Sequence, residues 1–176
     1  MAKIMKLTSV ITILLTISFI IIFYYTTYCT FYTLSITFGT IAYHFTTRLI
    51  IGYTYDLILK NKVDYNKKWF KVHKLEMKLY NKIKVKKWKN KMPTYNPKLF
   101  DPTIHNWNEI IMAMCQSELV HETIILFSFL PIIGTVWFGS FWVFMITSII
   151  SALFDLTFVI IQRFNRTRII KITSKL

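Results

Sequence analysis

Polar and charged positions divide this chain into four apolar runs and one long basic stretch. The first run, Leu7–Thr27, is nearly free of charge. It has the length, about 20 residues, that carries a helix across the hydrocarbon core of a bilayer. A second run, Phe31–Tyr53, follows after only Tyr28, Cys29 and Thr30. One continuous helix over both would reach roughly 70 Å, about twice a bilayer, so the pattern predicts a helical hairpin. A third run extends from Glu109 to Leu130 and is broken at Pro131–Gly134, and a fourth covers Trp137–Ile161. Between the second and third lies the basic region 60–105. There Trp69, Val72, Leu75 and Leu79 recur at helical spacing among lysines, which predicts a helix with one apolar and one cationic side lying in the membrane interface. Pro93, Pro97 and Pro102 make an irregular elbow, and Asn106 or Asn108 is placed to cap the helix after it. The expected fold is therefore an all-α membrane protein, a single membrane domain over residues 1–176. It has four transmembrane helices, with a basic amphipathic interfacial helix between the second and third.

Composition agrees with that class. The 176 residues are 54% hydrophobic with only four Gly and four Pro, a balance that soluble domains rarely carry. Charge adds a direction. Lys and Arg number 22 against 8 Asp and Glu, a formal net charge of +14, and thirteen lysines fall between Lys60 and Lys91. Apart from Arg48, every basic residue lies before the first run, between Lys60 and Lys98, or from Arg163 onward. The positive-inside rule then puts the N- and C-termini and the basic region on the cytoplasmic side of the cell membrane. A basic surface flanking apolar spans points to membrane lipids as partners, and no groove-reading or single-strand-binding motif suggests nucleic acid. His44 and Arg48, one turn apart near the end of the second run, are read as snorkelling toward the interface. Cys29 and Cys115 are too far apart, and too apolar in setting, to suggest a disulfide framework or a metal site.

The third run carries groups that a bilayer disfavours. Cys115, Glu118, His121 and Glu122 occur at spacings of three and four, roughly one helical face. The fourth run has a matching stripe, Ser148, Ser151, Asp155 and Gln162. Asp155 precedes Arg163 by eight residues and Glu118 follows Glu109 by nine, so antiparallel neighbours would hold these groups in one layer of the cytoplasmic half. The chemistry such a layer suits is His121 as general base on an acceptor hydroxyl, oriented by Glu118 or Asp155. Arg163, Arg166 and Arg168 stand at the mouth, suited to the phosphates of a cosubstrate. The competing reading is a non-enzymatic lipid- or partner-binding subunit whose buried charges pair with another chain. No serine elbow, Gly-rich phosphate loop or zinc motif is present.

Three segments taken together carry a resemblance: Trp69…Lys87-Trp88-Lys89…Pro93, then Cys115-x-x-Glu118-Leu119-x-His121, then Gln162-Arg163-Phe164-Asn165-Arg166-x-Arg168. Over about Trp69 to Ile170 the chain resembles the glycosyl-diaponeurosporenoate acyltransferases, small bacterial membrane enzymes of carotenoid-glycoside synthesis. It departs from their pattern with Glu122 in place of Trp, Phe164 in place of Tyr, Thr167 in place of Pro, and Asp155 near a common Asn. The resemblance implies transfer of a fatty acyl group to a sugar hydroxyl of a membrane-embedded glycolipid or carotenoid glycoside. The donor would be acyl-coenzyme A or another acyl thioester, used as cosubstrate, with no bound cofactor or metal. It adds Trp88, Gln162 and Asn165 to Arg163, Arg166 and Arg168 as substrate-binding candidates.

Overall fold

The computed structural model describes residues 2–174 and is helical, with no strand among the described residues. Met1, Lys175 and Leu176, part of the basic ends, lie outside them. The chain divides into two compact units: residues 2–52 with 123–154, and residues 53–122 with 155–174.

The first of these units opens with helix α1 (Ala2–Thr26), which turns at Thr27, φ 57°, into α2 (Cys29–Leu59). The two run antiparallel. Ser9 Oγ meets Thr46 Oγ1 at 2.7 Å, the Phe19 and Phe38 rings stack with centroids 5.4 Å apart, and Phe23 lies 5.2 Å from Tyr32. Helix α5 (Trp107–Phe127) ends in this unit, relaxes through a short turn at Leu130–Gly134 into α6 (Thr135–Phe138), and leads into α7 (Phe141–Thr173). Gly139 and Ser140, both at positive φ, make that last reversal. The Tyr43 and Tyr32 hydroxyls reach the freed carbonyls of Phe127 and Phe138, at 2.9 and 3.3 Å. A helix end in an apolar setting needs such partners for its carbonyls.

Three segments, not the expected four, are long and apolar enough to cross a membrane: Ala2–Thr26, Trp107–Phe138 and Phe141–Thr173. Helix α2 is a full 31 residues, but seven threonines, Ser35, His44, Arg48 and Asp56 dilute its apolar content. Packing explains how it carries them. Ser35, Thr40 and His44 are buried, and the Thr40 and Ser35 hydroxyls donate back to the carbonyls of Ile36 and Tyr32, each at 2.7 Å. Arg48, expected at the interface, turns inward instead. Its Nη2 donates to Ser151 Oγ at 2.8 Å, and Ser151 in turn meets Ser128 at 2.9 Å. A helix covered by neighbours does not have to be greasy on every side.

The second unit joins the last turns of α2 to the basic region, the first part of α5 and the last part of α7. Lys60 and Asn61, both at positive φ, end α2. The Asn61 N–H donates to Gln116 Oε1, and Gln116 Nε2 donates to Asp56 Oδ1, each at 2.7 Å, which clips this turn to α5. The basic region then forms a 3₁₀ turn (Lys68–Phe70), α3 (Lys74–Lys82) and α4 (Val85–Trp88), with Lys84 left-handed between the helices. The expected amphipathic helix is thus only nine residues long and begins after Trp69 and Val72. Its apolar residues face two ways. Leu75 and Leu79 stay exposed, at 78% and 53%, while Tyr80 is buried at 5%. Side chains on a helix lean toward its N-terminus, and the pull of two apolar clusters decides which ones turn in. One cluster is Val63, Phe70 and Cys115; the other is Tyr80, Val85 and Phe164, with Trp88 against it. At the start of α5, Asn106 is the cap. Its Oδ1 accepts the Glu109 N–H at 2.9 Å and Glu109 Oε2 accepts the Asn106 N–H at 3.1 Å, a reciprocal capping box.

Candidate active site

Within this second unit α5 and α7 lie antiparallel, and their polar faces meet. Glu118 on α5 is fully buried and each of its carboxylate oxygens takes one guanidinium of α7. Arg163 Nη1 donates to Oε1 at 2.8 Å, and Arg166 Nη1 donates to Oε2. The arginines sit three residues apart on α7, so both reach the same carboxyl group. Their remaining donors hold the basic region. Arg163 Nε donates to Glu76 Oε1 of α3 at 2.6 Å, and Arg166 Nη2 donates to the Phe70 carbonyl at 2.8 Å with its guanidinium over the Phe70 ring. Glu122 Oε1 lies 3.7 Å from Arg163 Nη1, and Glu122 Oε2 accepts the Trp69 indole N–H at 2.8 Å. The cluster is a clasp that fastens the lysine-rich segment to two apolar helices. Buried charge is tolerated here because each ion is paired and hydrogen-bonded.

Glu76 belongs to this clasp and lies outside the apolar spans. Burial opposes its ionisation, but hydrogen bonds from the Tyr80 hydroxyl and Arg163 outweigh that and hold its carboxyl below the ordinary range. Burial and the Glu76 carboxylate push the Tyr80 phenol up, so it remains a proton donor. Burial, with Arg168 and Lys86 nearby, lowers Lys89, whose Nζ donates to Asn165 Oδ1 at 2.5 Å.

Further along α5 is a second, simpler arrangement. His121 Nδ1 lies 2.8 Å from Asp155 Oδ1 of α7. The Asp155 side chain is 1% exposed and that of His121 is 21% exposed. The Phe158 ring stacks on the imidazole, centroids 4.7 Å apart and planes 11° from parallel. A carboxylate accepts, so Nδ1 is the donor in this contact, and in the neutral ring that tautomer leaves the lone pair on Nε2. The pair has the parts of a base with its orienting acid, on two rigid helices.

The structure thus brings His121 to Asp155, and Glu118 to Arg163 and Arg166, as two neighbouring pairings across the α5–α7 seam. Of the two carboxylates considered for orienting His121, the one in contact is Asp155. Gln162 Nε2 reaches Ser117 Oγ at 3.2 Å in the same seam. Arg163 and Arg166 do not form an open rim, since carboxylates and a backbone carbonyl already occupy them. Arg168 is exposed, with its guanidinium 5.7 Å from the centre of the Phe164 ring. Trp88 donates its indole N–H to the Ile83 carbonyl at 3.0 Å and packs beside Phe164, away from the His121 pair in its contacts. Cys115 is fully buried with Val63 and Phe70. Sequence reasoning missed Glu76 as a partner of Arg163. The available signal was its isolation: with Asp64 it is one of two acidic residues among the thirteen lysines between Lys60 and Lys91.

A family model described as glycosyl-4,4'-diaponeurosporenoate acyltransferase matches residues 66–175. Those residues include α5, α7 and most of the basic region, and hence both pairings. No curated protein and no solved structure gives a match.

Proposed function

Because the chain belongs to the glycosyl-4,4'-diaponeurosporenoate acyltransferase family, we propose that it moves a fatty acyl group from an acyl thioester to a sugar hydroxyl of a glycosylated carotenoid held in the bilayer. The observation that carries the residue assignment is the His121–Asp155 contact at 2.8 Å. In this reading His121 Nε2 takes the proton of the sugar hydroxyl as its oxygen attacks the thioester carbonyl. Collapse of the tetrahedral adduct forms the ester and breaks the C–S bond, and the imidazolium returns the proton to the departing sulfur. Asp155 holds the ring and steadies its positive charge. Glu118 acts as a positioning residue: with Arg163 and Arg166 it keeps α5 and α7 in the register that joins His121 to Asp155.

The setting fits an apolar acceptor. Three helices suit a membrane, and the lysine-rich region together with the basic ends supports a cell-membrane location on an anionic lipid surface. Exposed Leu75 and Leu79 among lysines support contact of α3 with an anionic lipid surface. The test is acyl transfer by purified protein, read by mass spectrometry of the glycoside. His121→Ala is expected to lower turnover by about 10²–10⁴-fold, the range typical of a general base. Unchanged turnover in His121→Ala would remove it from the chemistry.

A further inference from the structure

The acyl-transfer reading needs a place for the donor, and the arginines at first suited to its phosphates are already paired. Arg166 is 1% exposed and Arg163 is shared between Glu76 and Glu118. A different feature of the same unit has the required chemistry. Between the end of α2, the loop after it and Leu119 of α5 lies a cleft of about 410 Å³. That is within the roughly 300–1,000 Å³ of ordinary ligand sites. Its walls are Leu59, Val63, Trp69, Phe70 and Leu119, and its polar lining is Lys62, Lys67 and Asp64. We propose that this cleft is the donor subsite: the fatty acyl chain lies against the apolar walls, and the anionic carrier of the thioester is held by Lys62 and Lys67. The proposal rests on the acyl-transfer reading for the identity of its occupant.

Three observations support it. The charge is complementary. Residues 60–71 carry Lys60, Lys62, Lys67, Lys68 and Lys71 against Asp64, whose Oδ1 is turned onto the Asn66 N–H at 2.9 Å. The cleft is also braced by contacts around it. The Asn61–Gln116–Asp56 clip fixes the turn beside it, and its wall residues Val63 and Phe70 are packed on buried Cys115. Finally, its walls are wired to the clasp. Trp69 donates to Glu122, the residue after His121 on α5, and the Phe70 carbonyl accepts from Arg166, so the cleft wall and the clasp share two hydrogen bonds. Neither an apolar groove nor a lysine cluster alone would select an amphiphile with an anionic head; the combination does.

The experiment uses the full chain in nanodiscs of zwitterionic lipid and a hexadecyl thioether analogue of acyl-coenzyme A, which binds but cannot transfer. Lys62→Glu with Lys67→Glu, at exposed positions that leave the core intact, is expected to weaken the analogue at least tenfold. Added salt should narrow that difference. Leu119→Trp, which fills the cleft, is expected to weaken the hexadecyl analogue at least tenfold relative to free coenzyme A. His121→Ala should bind it as the wild type does, while its turnover with a true thioester donor falls by about 10²–10⁴-fold. Equal binding by the wild type and the lysine variant overturns the subsite. Competition by hexadecyl sulfate as strong as by the analogue also overturns it, since the cleft would then hold any anionic amphiphile. Normal transfer by His121→Ala would instead sink the catalytic reading, while the binding result still decides the cleft.

Discussion

Replacing Glu118 with Gln removes one charge and leaves two guanidinium groups facing a neutral amide. The carboxylate is fully buried and serves Arg163 and Arg166 through separate oxygens. Arg163 keeps Glu76 and has Glu122 at 3.7 Å, so it stays paired. Arg166 has no other carboxylate among the described residues and is left, nine-tenths buried or more, on the Phe70 carbonyl. The Gln amide N–H₂ would also point at one of the guanidinium donors. Breaking a buried pair by removing one partner costs about 3–5 kcal/mol, against about 0–1 kcal/mol for an exposed pair. The loss falls on the attachment of the basic segment, because Arg166 and Arg163 are what tie Phe70 and Glu76 to α7. Trypsin reads that attachment directly through the lysines of residues 60–91. Where cleavage tracks the open population, about 3–5 kcal/mol corresponds to a rise of roughly two to four orders of magnitude in cleavage rate. Glu118→Leu with Arg166→Met removes both ions and should cost less than the single change, since no charge is stranded. A rise of under about fivefold in Glu118→Gln, or a double variant worse than the single, would refute the clasp as a stabilising element.

The remaining predictions concern the chemistry and its pH range. Asp155→Asn should reduce turnover strongly and change the pH profile of the rate, with trypsin protection unchanged, because the ring loses its orienting acceptor. Equal profiles for variant and wild type would leave Asp155 without that role. Glu76, with its folded pKa lowered, contributes stability that is complete above the ordinary carboxylate value of about 4.3 and is lost as pH falls through the lower folded value. The thermal midpoint in detergent should therefore hold down to about pH 4 and fall below it, and Glu76→Gln should flatten that fall. Tyr80→Phe removes a hydrogen bond that lowers the Glu76 pKa, so the fall should become smaller and end at a higher pH, which a larger fall would contradict.

The class of this protein was legible from one-dimensional pattern. Long uncharged runs form helices in a membrane because each backbone donor must be satisfied within the segment, and that needs no tertiary information. Periodicity likewise put Glu118 and His121, and Ser151, Asp155 and Gln162, on inward stripes. Helix α2 shows where that reasoning stops. The run Phe31–Tyr53 has the length of a span, yet it is not apolar enough to count as one. Only the neighbours that bury Thr40 and His44 explain how it carries its polar residues. The basic region shows the same limit. Trp69, Val72, Leu75 and Leu79 keep helical spacing, yet the helix starts at Lys74, because Phe70 and Tyr80 find apolar partners across the unit.

The residue types and depths of the candidate site were set locally, by composition and a period of 3.6. Its pairings were decided only by the antiparallel docking of α5 on α7, which gives His121 to Asp155 and gives Glu118 to Arg163 and Arg166. Spacing along one helix names the residues that share a face. It does not say which partner stands opposite, because that depends on a register set by side-chain packing and ion pairing between segments more than thirty residues apart.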